Sequence, residues 1–164
     1  MVISGGNGLG AYVVAPGVTS PLLVPLAAAA PASEVAHRLR QRLDLGLAKS
    51  ALVVNMATWC PVCRREISHL KRMAEDVGAD LAFFGFSVDP KDGVDELAKY
   101  PEDVAPPYQI LASATPAQRE EMEASLKANF GDTPLPSSVL IDGDGYVITV
   151  FKGSPTLLYL RLVK

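Results

Sequence analysis

At Met56 the sequence changes periodicity, and that change constrains the fold more than any other feature. Ala51-Leu52-Val53-Val54-Asn55-Met56 is a nearly continuous apolar run. A strand that reads this way is buried on both faces, as in sheets covered by other layers on each side. From Cys60 the period becomes helical. Cys63, Ile67, Leu70, Ala74 and Val77 fall within about 80° of one another on a wheel of 100° per residue, and Gly78 ends the run. Downstream the alternation continues. Leu81 to Val88 is a second buried strand, Asp92 to about Tyr100 a short helix, and Tyr108 to Leu111 a brief extended segment after the helix-breaking Pro106-Pro107. Thr115-Pro116-Ala117-Gln118 is a capping box with proline in the first turn, opening a helix to about Phe130 that stops at Gly131. Val139–Ile141 and Tyr146–Lys152 are strands joined by Asp142-Gly143-Asp144-Gly145, a hairpin signal, and Ser154-Pro155 starts a last helix toward Lys164.

Upstream, Val2-Ile3 and Ala11 to Val14 flank Gly5-Gly6-Asn7-Gly8 as a hairpin, and Leu22 to Val24 is a short strand. Ser33 caps a helix bearing Val35, Leu39 and Leu43 and stopped by Gly46. The glycines do not make a phosphate loop, because a β-type run rather than a helix follows them. The reading is therefore α/β: a central mixed β-sheet flanked by helices, with an N-terminal β-hairpin extension. With 164 residues, no repeat and no long linker, it forms one domain, 1–164, divided into an extension (1–32) and a core (33–164).

Composition removes several function classes. A net charge of −3 gives no basic field for nucleic acid. Residues 1–33 carry no charged side chain, yet Pro16, Pro21, Pro25 and Pro31 interrupt them, so they do not read as a membrane span. Met1-Val2-Ile3-Ser4 lacks the basic start of a secretory signal. Two cysteines are too few for a disulfide-stapled scaffold, and both lie in Cys60-Pro61-Val62-Cys63.

That segment carries the chemistry. Cysteines three apart at a helix start lie about 60° apart around the axis, so their sulfurs can close a small ring or open to a dithiol. Cys63 falls on the apolar stripe and is expected to be buried; Cys60, in the first turn, is expected to be the exposed sulfur. Unpaired N–H groups at the helix start stabilise a thiolate there, and Arg64 and Arg65 add positive charge. Cys60 is then the attacking sulfur and Cys63 the resolving one. No metal or organic cofactor is needed. A zinc site would require His37 and His69, but His37 precedes the strand and His69 points away from the cysteines. Trp59 and Pro61 flank the pair as a redox loop would, against an inert cysteine pair. Monovalent copper on two thiolates stays open as a copper-delivery alternative.

Leu52 to Glu66, with Trp59-Cys60-Pro61-Val62-Cys63 at its centre, and Leu135-Pro136-Ser137-Ser138-Val139-Leu140-Ile141-Asp142, followed by Gly143-Asp144-Gly145 and Gly153, resemble the thioredoxin superfamily. Within it they resemble the TlpA/ResA-like thiol–disulfide oxidoreductases, from about residue 33 onward. The resemblance implies a thioredoxin-like fold and a Cys60/Cys63 redox couple, with Pro136 in the position of the cis-proline. It places Trp59, Pro61, Val62, Leu135 and Pro136 where a substrate segment is positioned. Asp89 matches an acid found after the second buried strand and is equally readable as a turn residue before Pro90; Glu66, one turn past Cys63, is either a proton relay or a solvated helix residue. Val54 stands where many thioredoxins carry a buried acid, and Asn55 replaces a common aromatic, which changes the expected pocket floor. The implied activity is reduction of disulfides in extracytoplasmic protein partners, with a redox partner donating electrons and no membrane span in this chain. A thiol peroxidase is the remaining enzyme alternative; that branch uses a distant resolving cysteine rather than an adjacent Cys-x-x-Cys.

Overall fold

The computed structural model describes residues 2–3, 12–13, 43 and 45–162. The chain divides into two units, Met1–Pro31 and Ala32–Lys164. In the first, β1 (Val2–Ile3) pairs antiparallel with β2 (Tyr12–Val13), Val2 opposite Val13. The strand expected at Leu22–Val24, the glycine turn at 5–8 and the helix expected after Ser33 lie outside the described residues, apart from Leu43.

The second unit is built on β3 (Ser50–Asn55), whose last five residues are buried. It pairs in parallel with β4 (Leu81–Phe86) and antiparallel with β6 (Ser137–Asp142). Outside these lie β5 (Gln109–Ile110), parallel to β4, and β7 (Val147–Lys152), antiparallel to β6, giving the order β5-β4-β3-β6-β7. The sheet is mixed, as the alternating strands followed by a hairpin require. Among the described residues four α-helices accompany it: α1 (Pro61–Val77), α2 (Val94–Val104), α3 (Pro116–Phe130) and α4 (Leu157–Leu162).

The period-2 alternation of β3 divides the core in two. Leu52, Val54 and Met56 join Ile67, Leu70, Met73 and Val77 of α1 in one cluster that also contains both cysteines. Ala51 and Val53 face the other way, with Phe84, Phe86 and, from α3, Met122 and Leu126. The expected stripe on α1 is present, with Met73 fully buried and Ala74 only partly so.

Some boundaries differ from expectation. α2 continues past Tyr100 to Val104 with Pro101 inside it. The missing N–H of Pro101 costs one helical bond, but continuation keeps Leu97 and Tyr100 in the core and packs Val104 against it. β4 stops at Phe86 rather than Val88, because the next residue, Ser87, turns its side chain to Asp92. The last helix starts at Leu157, three residues after Ser154.

Candidate active site

The C-terminal end of β3 is where strand direction reverses within the sheet, parallel neighbour on one side and antiparallel on the other. In open α/β sheets such points gather functional loops. The chain leaves β3 there through Met56, whose N–H donates to the Phe86 carbonyl (2.8 Å), and reaches Cys60 four residues later. Cys60 is the N-cap of α1, with Pro61 in its first turn. The fixed φ of proline suits that place, and its missing N–H would have had no helical partner.

Cys60 and Cys63 are joined in a disulfide, with Cα atoms 5.3 Å apart. The Cys60 Sγ accepts the backbone N–H of Cys63 at 3.1 Å. One of the otherwise unsatisfied donors of the helix start therefore already points at this sulfur. The expectation that Cys60 is the exposed sulfur is not met: Cys60 is 3% exposed and Cys63 2%. Both sulfurs lie in the apolar cluster with Met56 and Ala57, and the exposed side chains here are the flanking Trp59, at 55%, and Val62, at 43%. What separates the two cysteines is position: Cys60 precedes the helix and Cys63 lies within its first turn.

The Leu135–Pro136 peptide bond is cis. Because Asn55 pairs with Ser137, these two residues sit beside the end of β3 that leads to Cys60. Leu135 packs against the cluster that holds the cysteines, and the Pro136 carbonyl accepts the Gly153 N–H (2.9 Å). Asn55 does not floor the cysteine pocket. Strand alternation puts it on the opposite face, buried, with Nδ2 donating to Ser137 Oγ at 3.2 Å.

Asp89 accepts the Trp59 indole N–H at 2.8 Å through one carboxylate oxygen and the Lys91 backbone N–H at 2.9 Å through the other. Glu66 is half-buried on α1, three residues past Cys63. His69 does not face open solvent: its Nε2 lies 3.3 Å from the Pro155 carbonyl. Among the described residues no group of histidine, cysteine and carboxylate side chains is arranged to hold a metal, and no helix is long and apolar enough to cross a membrane.

Sequence reasoning missed Asp92, which it read only as a helix start. Asp92 is 1% exposed and accepts three hydrogen bonds: from Thr58 N–H (3.1 Å), Thr58 Oγ–H (2.6 Å) and Ser87 Oγ–H (2.7 Å). Arg64 Nη2 donates to the Thr58 carbonyl at 3.0 Å, and its guanidinium lies 5.7 Å from the Tyr100 ring centre. A cavity of about 340 Å³ beside Trp59 is lined by Thr58, Arg64, Tyr100 and the α2 side chains Glu96, Lys99 and Asp103. Burial raises the Tyr100 phenol above its usual range; Arg64 opposes that shift and Asp92 adds to it. Tyr108 is raised more strongly, again chiefly by burial. The available signal was local: an acid between the Asp89-Pro90 turn and Gly93, where the helix itself is capped by the glycine.

Comparison with known proteins places this geometry. The Redoxin family pattern matches residues 29–157. The thiol:disulfide interchange protein DsbE of Pasteurella multocida (strain Pm70) is 28% identical over 99 residues, which is 60% of this chain and 48% of that protein. DsbE of Haemophilus influenzae is 26% identical over 91 residues, 56% of this chain and 44% of that protein. The chain thus spans about half the length of the curated relatives it matches. Among solved structures, the thio-disulfide isomerase from Thermus thermophilus superposes with a TM-score of 0.51 and 25% identity, covering 71% of this chain and 78% of that one. A protein of Aquifex aeolicus VF5, 16% identical, superposes with a TM-score of 0.56 over 73% of this chain and 80% of its own; it bears on the fold alone.

Proposed function

The chain belongs to the Redoxin family and has a thioredoxin-like fold, and from that premise we propose that it is a thiol–disulfide oxidoreductase that reduces disulfides in extracytoplasmic protein partners. The observation that carries this reading is the Cys60–Cys63 disulfide with its first sulfur at the N-cap of α1. The DsbE relatives, named for thiol:disulfide interchange, support it. The core, 33–164, is the working part and 1–32 an extension. The extracytoplasmic location rests on the resemblance to the TlpA/ResA-like proteins.

In the proposed cycle the reduced protein acts through a Cys60 thiolate, stabilised by the helix N-terminus. It attacks one sulfur of the partner's disulfide, forming a Cys60–partner bond and releasing the partner's other sulfur as a thiolate, which takes up a proton. Cys63 loses its proton and attacks the Cys60 sulfur. The mixed disulfide breaks, the second partner thiolate takes up a proton so that the partner leaves as a dithiol, and the Cys60–Cys63 pair, having given up two electrons, is left as the disulfide. A separate dithiol partner then reduces the pair. Trp59, Pro61 and Val62 form the exposed rim that meets the partner, and the backbone at Leu135, beside Pro136, pairs with its extended segment. Asp89, which holds the Trp59 indole, and Glu66, half-buried three residues past Cys63, are the two acids placed to take the Cys63 proton.

Insulin reduction driven by dithiothreitol tests the reading. Cys60→Ser is expected to abolish turnover, and Cys63→Ser to accumulate mixed disulfide at Cys60. A Cys60→Ser protein with full activity would overturn the assignment.

A further inference from the structure

We propose that Asp92 is a positioning residue for the redox loop: its buried carboxylate fixes Thr58 and, by opposing charge on Cys60, holds the couple toward its disulfide form. The inference rests on the oxidoreductase reading above and adds a residue, far in sequence from the cysteines, that tunes their chemistry.

Every polar group of Thr58 is occupied by a charged side chain. Its N–H and hydroxyl donate to Asp92, and its carbonyl accepts from Arg64. The next residue, Trp59, is held by Asp89 from the same loop. The Ser87–Asp92 loop therefore grips both residues that precede Cys60, and Asp92 is the buried member of the grip. The loop is itself held from α3, where Arg119 Nη1 donates to the carbonyls of Asp89 (3.0 Å) and Asp92 (3.1 Å).

The charge matters because of where it sits. Thr58 precedes Cys60 by two residues, so their Cα atoms are at most about 7.6 Å apart, and Asp92 is in contact with Thr58. A buried negative charge one hydrogen bond beyond Thr58 acts through a low-dielectric interior and disfavours a thiolate at Cys60. Destabilising the thiolate destabilises the reduced protein and makes it a stronger donor of electrons. The charged groups on the elements around Asp92 are Arg64 on α1, which bonds the Thr58 carbonyl, Asp89 and Lys91 in its own loop, Glu96 on α2, and Arg119 on α3, which bonds the Asp92 carbonyl. Tyr100 on α2 also senses it. Among the hydrogen-bond donors to the carboxylate, Ser87 makes no hydrogen bond to Thr58; its Oγ also accepts the Asp89 N–H at 3.2 Å.

The equilibrium of the full chain with reduced and oxidised glutathione tests this, because Cys60–Cys63 plus two glutathione thiols exchanges with the dithiol plus glutathione disulfide. Asp92→Asn, which removes the charge at nearly constant volume, is expected to move the equilibrium at least about threefold toward the dithiol, about 14 mV for two electrons. Ser87→Ala, which leaves the carboxylate less compensated, is expected to move it toward the disulfide. A merely structural role would move both variants the same way or neither, and either result overturns the proposal. If Asp92→Asn does not fold, Ser87→Ala decides alone: no shift, or a shift toward the dithiol, overturns it. A wild-type protein inert toward glutathione would overturn the oxidoreductase reading and this inference with it, whereas an exchanging wild type with unmoved variants overturns this inference only.

Discussion

Cys60 has two roles that follow from one position. As the N-cap of α1 its sulfur satisfies the Cys63 N–H, and as a member of the disulfide it is buried in the apolar cluster with Met56 and Ala57. The identity of the pair and the burial of Cys63 were legible in the apolar stripe Cys63-Ile67-Leu70. The burial of Cys60 was not, because a helical wheel places a side chain around an axis and says nothing of residues such as Met56 and Ala57 that pack there from outside the helix. Tyr100 and Tyr108 show a second residue-scale effect. Burial holds both phenols neutral above the ordinary value of 10.0. A group whose folded pKa exceeds its unfolded one contributes stability that is intact below the unfolded pKa and lost as pH rises toward the folded one. Urea midpoints are therefore expected to fall above about pH 10, and to fall less steeply in Tyr108→Phe than in wild type. Identical slopes in the two proteins would show that the Tyr108 phenol contributes nothing.

At the scale of elements, helix ends carried the strongest signals. Thr115 caps α3 as its sequence indicates: its Oγ accepts the Gln118 N–H, and the Gln118 side chain accepts the Thr115 N–H at 2.9 Å. Thr115→Ala is expected to lower unfolding free energy by about 1 kcal/mol in urea titration. Gly85, within β4, was silent in the sequence. It pairs with Ile110 of β5, and a Cβ there would lie 2.7 Å from Tyr108 ring atoms and 2.8 Å from the Ile110 side chain. Gly85→Ala is expected to cost roughly 1–3 kcal/mol through overpacking, read from the same titration; an unchanged midpoint would mean that β5 moves aside without cost. The Ser87–Asp92 loop escaped sequence reading for a different reason. Its bonds to Thr58 and Trp59 span 34 and 30 residues; the local pattern marks Asp92 as an acid just outside the helix but does not say what it holds.

For the whole molecule, the mixed sheet with helices on its two faces followed from two facts in the chain: a strand apolar on both faces, and a hairpin closing an otherwise strand–helix alternation. The strand order puts the end of β3 between a parallel and an antiparallel neighbour, and that placement brings the cysteines, the Leu135–Pro136 segment and the Asp92 loop to one end of the sheet. The remaining asymmetry, which sulfur attacks, is a property of the reduced state. Iodoacetamide added to reduced full-length protein at neutral pH, followed by peptide mass mapping, measures it most directly. The helix-start position of Cys60 predicts alkylation at least about tenfold faster there than at Cys63; equal rates, or a faster Cys63, would contradict Cys60 as the nucleophile.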